Sequence, residues 1–138
     1  MIRVHASSVA IGDRAVLLFG PSGAGKSDLA LRLIDEGATL VSDDYTELRA
    51  SDGALIARAP DTIRGRIEVR GLGIMLVPVA DDVRVALAVD LEPPAERLPE
   101  PAMRVLLDVP VPRVAIDART ASAAAKVRLA LGAFGLAA

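Results

Sequence analysis

The apolar run RAVLLF at residues 14–19 stops at a glycine, and the next eight residues read GPSGAGKS. Directly after them, KSDLALRLIDE repeats Leu29, Ala30, Leu33 and Ile34 at helical spacing, with Asp28, Arg32, Asp35 and Glu36 on the other face. A strand, a glycine-rich loop and an amphipathic helix in this order are the context that gives G-x-x-x-x-G-K-[ST] its meaning. Gly20, Gly23 and Gly25 allow the backbone to bring N–H groups close to a phosphate, with Pro21, Ser22 and Ala24 completing the turn. The helix then aims its free N–H groups and the positive end of its dipole at the same anion. In such a loop Lys26 bridges the β- and γ-phosphates of a nucleotide and the Ser27 hydroxyl ligates Mg2+. The chain carries sixteen basic residues, and all but Lys26 and Lys126 are arginine, so a lysine at this position is not casual.

Composition narrows the rest. At 138 residues the chain suits one domain, expected here over residues 1–138. Hydrophobic residues make up 52% but aromatics only 2%, so the core must be built from Val, Leu, Ile and Ala, as in an α/β layered structure. There is no cysteine, which excludes disulfides, thiolate metal sites and cysteine nucleophiles. A formal net charge of −2 gives no electrostatic reason to expect nucleic acid or a membrane surface as partner. The N-terminus lacks the apolar stretch of a signal peptide, and no run approaches the roughly 18 apolar residues of a membrane span. The cytoplasm is the expected location.

Along the chain, residues 3–11 have β character and Gly12-Asp13 turns them into the strand at 14–19, predicting an antiparallel hairpin. Gly37 is a helix stop, and Arg32 is spaced to pair with both Asp28 and Glu36. Residues 38–42 read as a short buried strand. Asp52-Gly53 between two apolar runs is a hairpin signal. Residues 66–77 begin as a strand or short helix and break at Gly71 and Gly73. Residues 83–91 and 103–111 read as further strands, the four-proline stretch 91–103 as an ordered surface loop, and residues 119–134 as an alanine-rich helix. The sum is a mixed sheet with a few covering helices.

Asp43 and Asp44 follow the strand at 38–42, seventeen and eighteen residues after Lys26. A strand parallel to the first ends beside the loop, at the carboxyl edge where α/β sheets bind ligands. One carboxylate there can hold Mg2+ or its waters, and the other can accept a proton from an attacking hydroxyl. Neighbours on a strand point to opposite faces, so both can serve only if the chain bends. A solvated strand-end turn is the plainer alternative. His5, the only histidine, falls on the strand antiparallel to 14–19, where packing is its ordinary role. Glu68 and Arg70 stand before a glycine pair that allows close backbone approach or simply turns. Arg113 reads either as a transition-state arginine or as a surface charge, and sequence physics favours the latter.

His5 fifteen residues before Gly20, then GPSGAGKS, LVSDD and EVRGLGI in order, resemble the catalytic domain of the HPr kinase/phosphorylase family. The likeness is clear over residues 3–77 and weaker from 78 to 138. It implies a single P-loop α/β domain similar to the nucleotide-binding core of HPr kinase and PEP carboxykinase. It implies a short, alphaproteobacterial-type form without the family's separate N-terminal domain. It also implies ATP and Mg2+ as cofactors and an HPr-type phosphocarrier, or its nitrogen-system paralogue, as the serine substrate. Reversal by phosphorolysis and a homo-hexameric assembly belong to the same pattern. By residue, it implies Lys26 and Ser27 on phosphate and metal, Asp44 as base toward the serine with Asp43 in support, and Glu68 as metal ligand. His5 is implied to orient an aspartate or the phosphate, and Arg113 to contact the transferring phosphate. Two other classes remain: a small-metabolite kinase with the same loop, and a nucleotide-binding module without catalysis.

Overall fold

The structure is a computed structural model that describes residues 1–92 and 95–138. In chain order its elements are β1 (Ile2–Val4), β2 (Ala6–Ile11), β3 (Arg14–Phe19), α1 (Lys26–Asp35), β4 (Thr39–Ser42), β5 (Thr46–Ser51), β6 (Ala54–Arg58), β7 (Arg66–Val69), β8 (Gly73–Leu76), β9 (Val83–Asp90), β10 (Ala102–Leu106), β11 (Val109–Ala115) and α2 (Ala123–Phe134). The expected mixed sheet is present. It runs β1-β5-β6-β9-β3-β2-β4, with β11 on β9 and β10 on β11, making nine strands among the described residues. The strands β7 and β8 form a separate hairpin.

The β2–β3 hairpin closes on Gly12-Asp13 with Ile11 opposite Arg14. Five consecutive residues of β3, Ala15 to Phe19, are buried, because both faces of this central strand are covered. Leu18 faces a core shared with Leu29 and Leu33 of α1 and Val127 and Leu131 of α2. Leu17 faces a second core with Val85 of the adjacent β9 and with Leu48, Leu55 and Val111 of β5, β6 and β11. That face needs no helix: the sheet supplies its own cover.

The helix α1 ends as its sequence predicts. Gly37 takes φ +111°, its N–H bonds the Ile34 carbonyl, and Ala38 N–H returns to Leu33. Asp52 and Gly53 both take positive φ, the signature of a two-residue hairpin turn.

Four details differ from the sequence reading. Residues 3–11 are two strands broken at His5, since β1 pairs with β5 while β2 pairs with β3 and β4. Residues 103–111 are not one strand but the β10–β11 hairpin, turned by Leu107 (φ +49°) and Asp108 (φ +62°) without any glycine to announce it. The C-terminal helix starts at Ala123, not near Arg119, because the Asp117 side chain accepts the Arg119 N–H (2.9 Å) and holds a turn there. Arg32 forms an ion pair with Asp28 (3.1 Å), but its other nitrogens reach the Ala118 and Thr120 carbonyls, and Glu36 pairs with Arg128 instead. Of the loop expected at 91–103, residues 93 and 94 lie outside the described residues.

Candidate active site

The strand order sets the site. Because β2 lies antiparallel between β3 and β4, the latter two run in the same direction and end at one edge of the sheet. That edge carries Gly20 after β3, Asp43 after β4 and Asp90 at the end of β9, which is parallel to β3 with Phe19 opposite Asp90.

The loop from Gly20 leads straight into α1. A Cβ on Gly20 would stand 2.9 Å from the Ala24 Cβ, and Gly25, with φ +96° at the helix N-cap, has the Ala118 Cβ 3.1 Å from where its own would lie. Neither position accepts a side chain without movement. The helix has no side-chain N-cap, so its first N–H groups are left for an external acceptor. Lys26 is buried to 5% exposure and donates to the Gly20 (2.6 Å) and Pro21 (3.1 Å) carbonyls.

The chain bends where the aspartates require it. Asp44 takes φ +67°, and Tyr45 N–H bonds the Asp43 carbonyl at 2.7 Å, so the two carboxylates leave the strand toward one region. Asp43 is buried. Its Oδ1 accepts from Ser27 Oγ (2.6 Å) and Ser7 Oγ (3.1 Å), and its Oδ2 accepts from Glu68 N–H (3.0 Å). Asp44 is half exposed, with Oδ1 2.8 Å from His5 Nε2 and 3.9 Å from Lys26 Nζ. The His5 ring stacks on Tyr45, centroids 4.9 Å apart. His5 therefore touches an aspartate, and the β1–β2 break lets it do so.

Two of the singled-out residues stand differently. Glu68 meets the cluster through its backbone N–H, while its side chain is exposed. Arg113 lies 3.0 Å from Asp90, which also accepts from Arg104 (3.3 Å). Arg104 in turn sits over the Phe19 ring, 3.7 Å from its centroid. A groove of about 360 Å³ opens here, lined by His5, Phe19, Gly20, Pro21, Asp90, Glu92 and Arg104. Asp90 and Arg104 were not singled out from the sequence. Asp90 had a usable signal, a carboxylate closing an apolar strand like Asp43; Arg104 had none.

Fold and site together define a class: an α/β protein with a glycine-rich strand-to-helix junction beside paired carboxylates at the carboxyl edge of its sheet. Within that class, the chain belongs to the HPr Serine kinase C-terminal domain family, whose model matches residues 1–129. It is 37% identical over 131 residues to the HPr kinase/phosphorylase of Geobacillus thermodenitrificans, with 84% of this chain and 42% of that protein covered. It is 44% identical over 73 residues to that of Clostridium botulinum, with 53% and 24% covered. The chain thus spans less than half the length of these relatives. Among solved structures, the Hpr(Ser) kinase/phosphatase from Coxiella burnetii superposes with a TM-score of 0.83 at 26% identity, covering 96% of this chain and 95% of that one.

Proposed function

We propose that residues 1–138 form one catalytic domain that transfers the γ-phosphoryl group of ATP to a serine hydroxyl on an HPr-type phosphocarrier protein. The observation that carries this reading is Asp44: a half-exposed carboxylate pinned between His5 (2.8 Å) and Lys26 (3.9 Å) at the mouth of the glycine-rich loop. A base on an open rim can be reached by a serine presented on another protein's surface. Membership of the HPr serine kinase family supports the same acceptor.

The donor set fits Mg2+. Ser27 Oγ and the Asp43 carboxylate, 2.6 Å apart, are hard oxygen ligands, and Mg2+ is commonly held by one or two such groups together with substrate phosphates. When bound, Mg2+ neutralises charge on the phosphate oxygens. The exposed Glu68 carboxylate is a further candidate ligand.

The chain's own residues do the rest. Loop N–H groups and the α1 N-terminus hold the phosphates. Lys26 exchanges its two loop carbonyls for phosphate oxygens. Asp44 accepts the serine proton as the serine oxygen bonds to phosphorus and ADP leaves, and His5 fixes the carboxylate's direction. Arg113, which like the groove-lining Arg104 pairs with Asp90, is the arginine that reaches the transferring phosphate. In reverse, inorganic phosphate takes the phosphoryl group from phosphoserine to give pyrophosphate, and Asp44 returns the proton.

The test is incubation with labelled ATP, Mg2+ and HPr-type carriers, followed by addition of phosphate with pyrophosphate as readout. Label on a carrier serine is the expected result; ATP binding with no label on any carrier overturns the reading. Asp44→Asn should keep ATP affinity and lose transfer by about 10²–10⁴-fold, the usual worth of a general base. Transfer at the wild-type rate would remove Asp44 from that role.

A further inference from the structure

The turn that carries Asp44 is strained. Tyr45 N–H closes onto the Asp43 carbonyl, two residues back, around a central residue with φ +67°. A three-residue turn with positive φ at its centre is the rare, strained form, and such backbone persists only where its surroundings over-determine it.

Two hydroxyls outside the glycine-rich loop do that here. Ser7 Oγ accepts the Asp44 N–H at 3.0 Å and donates to Asp43 Oδ1 at 3.1 Å. Ser42 Oγ donates to the Tyr45 carbonyl. Both serines are buried, at 0% and 1% exposure. The turn is therefore gripped at its centre from β2 and at its far end from β4.

We propose that Ser7 and Ser42 are positioning residues that lock this turn and so aim the Asp44 carboxylate between His5 and Lys26. The catalytic consequence rests on the serine-kinase reading; the structural one does not. Without the Ser7 hydroxyl, the part-buried Asp44 N–H loses its acceptor and the turn is free to relax to ordinary backbone angles. Asp43 keeps its bonds to Ser27 and to the Glu68 N–H, so the loop side of the site stays intact. The defect should thus appear in transfer rather than in nucleotide binding.

Ser8 provides a matched control. It is the next residue on β2, equally buried at 0% exposure, but its hydroxyl lies 2.9 Å from Thr46 Oγ1 and touches neither aspartate.

Three variants of the full chain, Ser7→Ala, Ser42→Ala and Ser8→Ala, are compared by amide hydrogen exchange and by kinetics with ATP and a carrier protein. In Ser7→Ala the Asp44 amide should exchange at least about tenfold faster than in wild type. Its kcat should fall about ten- to a hundredfold, the scale of a misplaced catalytic group, with KM for ATP changed less than about twofold. Ser42→Ala should move in the same direction, and decides the matter by the same two readouts if Ser7→Ala does not fold. Ser8→Ala should leave Asp44 exchange and kcat at wild-type values. Unchanged Asp44 exchange with unchanged kcat in Ser7→Ala overturns the proposal. So does an equal loss of transfer in Ser8→Ala, which would make the effect one of strand stability. If wild type labels no carrier, it is the kinase reading that falls, and Asp44 exchange still decides whether Ser7 holds the turn.

Discussion

Lys26 shows how a single residue can be legible in type and illegible in detail. Its place in the loop follows from the pattern and from the scarcity of lysine in the chain. Its contacts do not: the ammonium folds back onto the Gly20 and Pro21 carbonyls and lies 3.9 Å from Asp44. Lys26→Met keeps the packed stem and removes the charge. It should lower ATP affinity at least about tenfold, as loss of a charge-assisted contact worth about 1.5–3 kcal/mol implies. Titration calorimetry measures this, and an unchanged melting temperature would show that the loss is local. His5 and the aspartates were likewise visible as residue types, whereas Ser7, Ser42 and Arg104 were not. A buried serine and a surface arginine are too common for their positions to stand out, and only their partners distinguish them.

At the scale of elements, regular patterns were readable and unusual turns were not. The β2–β3 and β5–β6 hairpins and the α1 stop all carry glycine at the turning point. The β10–β11 turn carries Leu107 and Asp108 in left-handed backbone instead, and Leu107 gains packing against the second core from being there. Asp108 has no such gain. Asp108→Gly relieves its backbone and should stabilise the protein by roughly 0.5 kcal/mol, measurable by urea denaturation. At the entry to α2, the Arg119 N–H and then its guanidinium hold the Asp117 carboxyl below the usual carboxylate range. A depressed folded value means the contribution is present above the unfolded range and lost as pH falls toward the folded one. The stability difference between wild type and Asp117→Asn should therefore shrink below about pH 4, and denaturation midpoints across pH would reveal it.

For the whole molecule, one sheet serves two cores. Leu17 and Leu18 are adjacent on β3, both fully buried, and face opposite sides. Leu17→Ala and Leu18→Ala should each cost about 2–5 kcal/mol. Because the two cores share their strands, each variant should still unfold in a single transition, and two separate steps in thermal unfolding followed by circular dichroism would show the cores to be independent. No helix among the described residues is long and apolar enough to cross a membrane.

The sequence alone determined the strand–loop–helix unit, the two glycine-marked hairpins, the α/β class and, at the candidate site, the loop residues, His5 and the paired aspartates. These depend on local backbone preference and on hydrophobic period, which are written in neighbouring residues. Only the tertiary structure decided which of them meet. His5 reaches Asp44 across 39 positions and Ser7 reaches Asp43 across 36 because β2 is inserted between β3 and β4. Arg113 reaches Asp90 because β11 runs parallel to the end of β9. Strand order and register arise from the packing of residues far apart in the chain, so the geometry of the site lies there and not in any single motif.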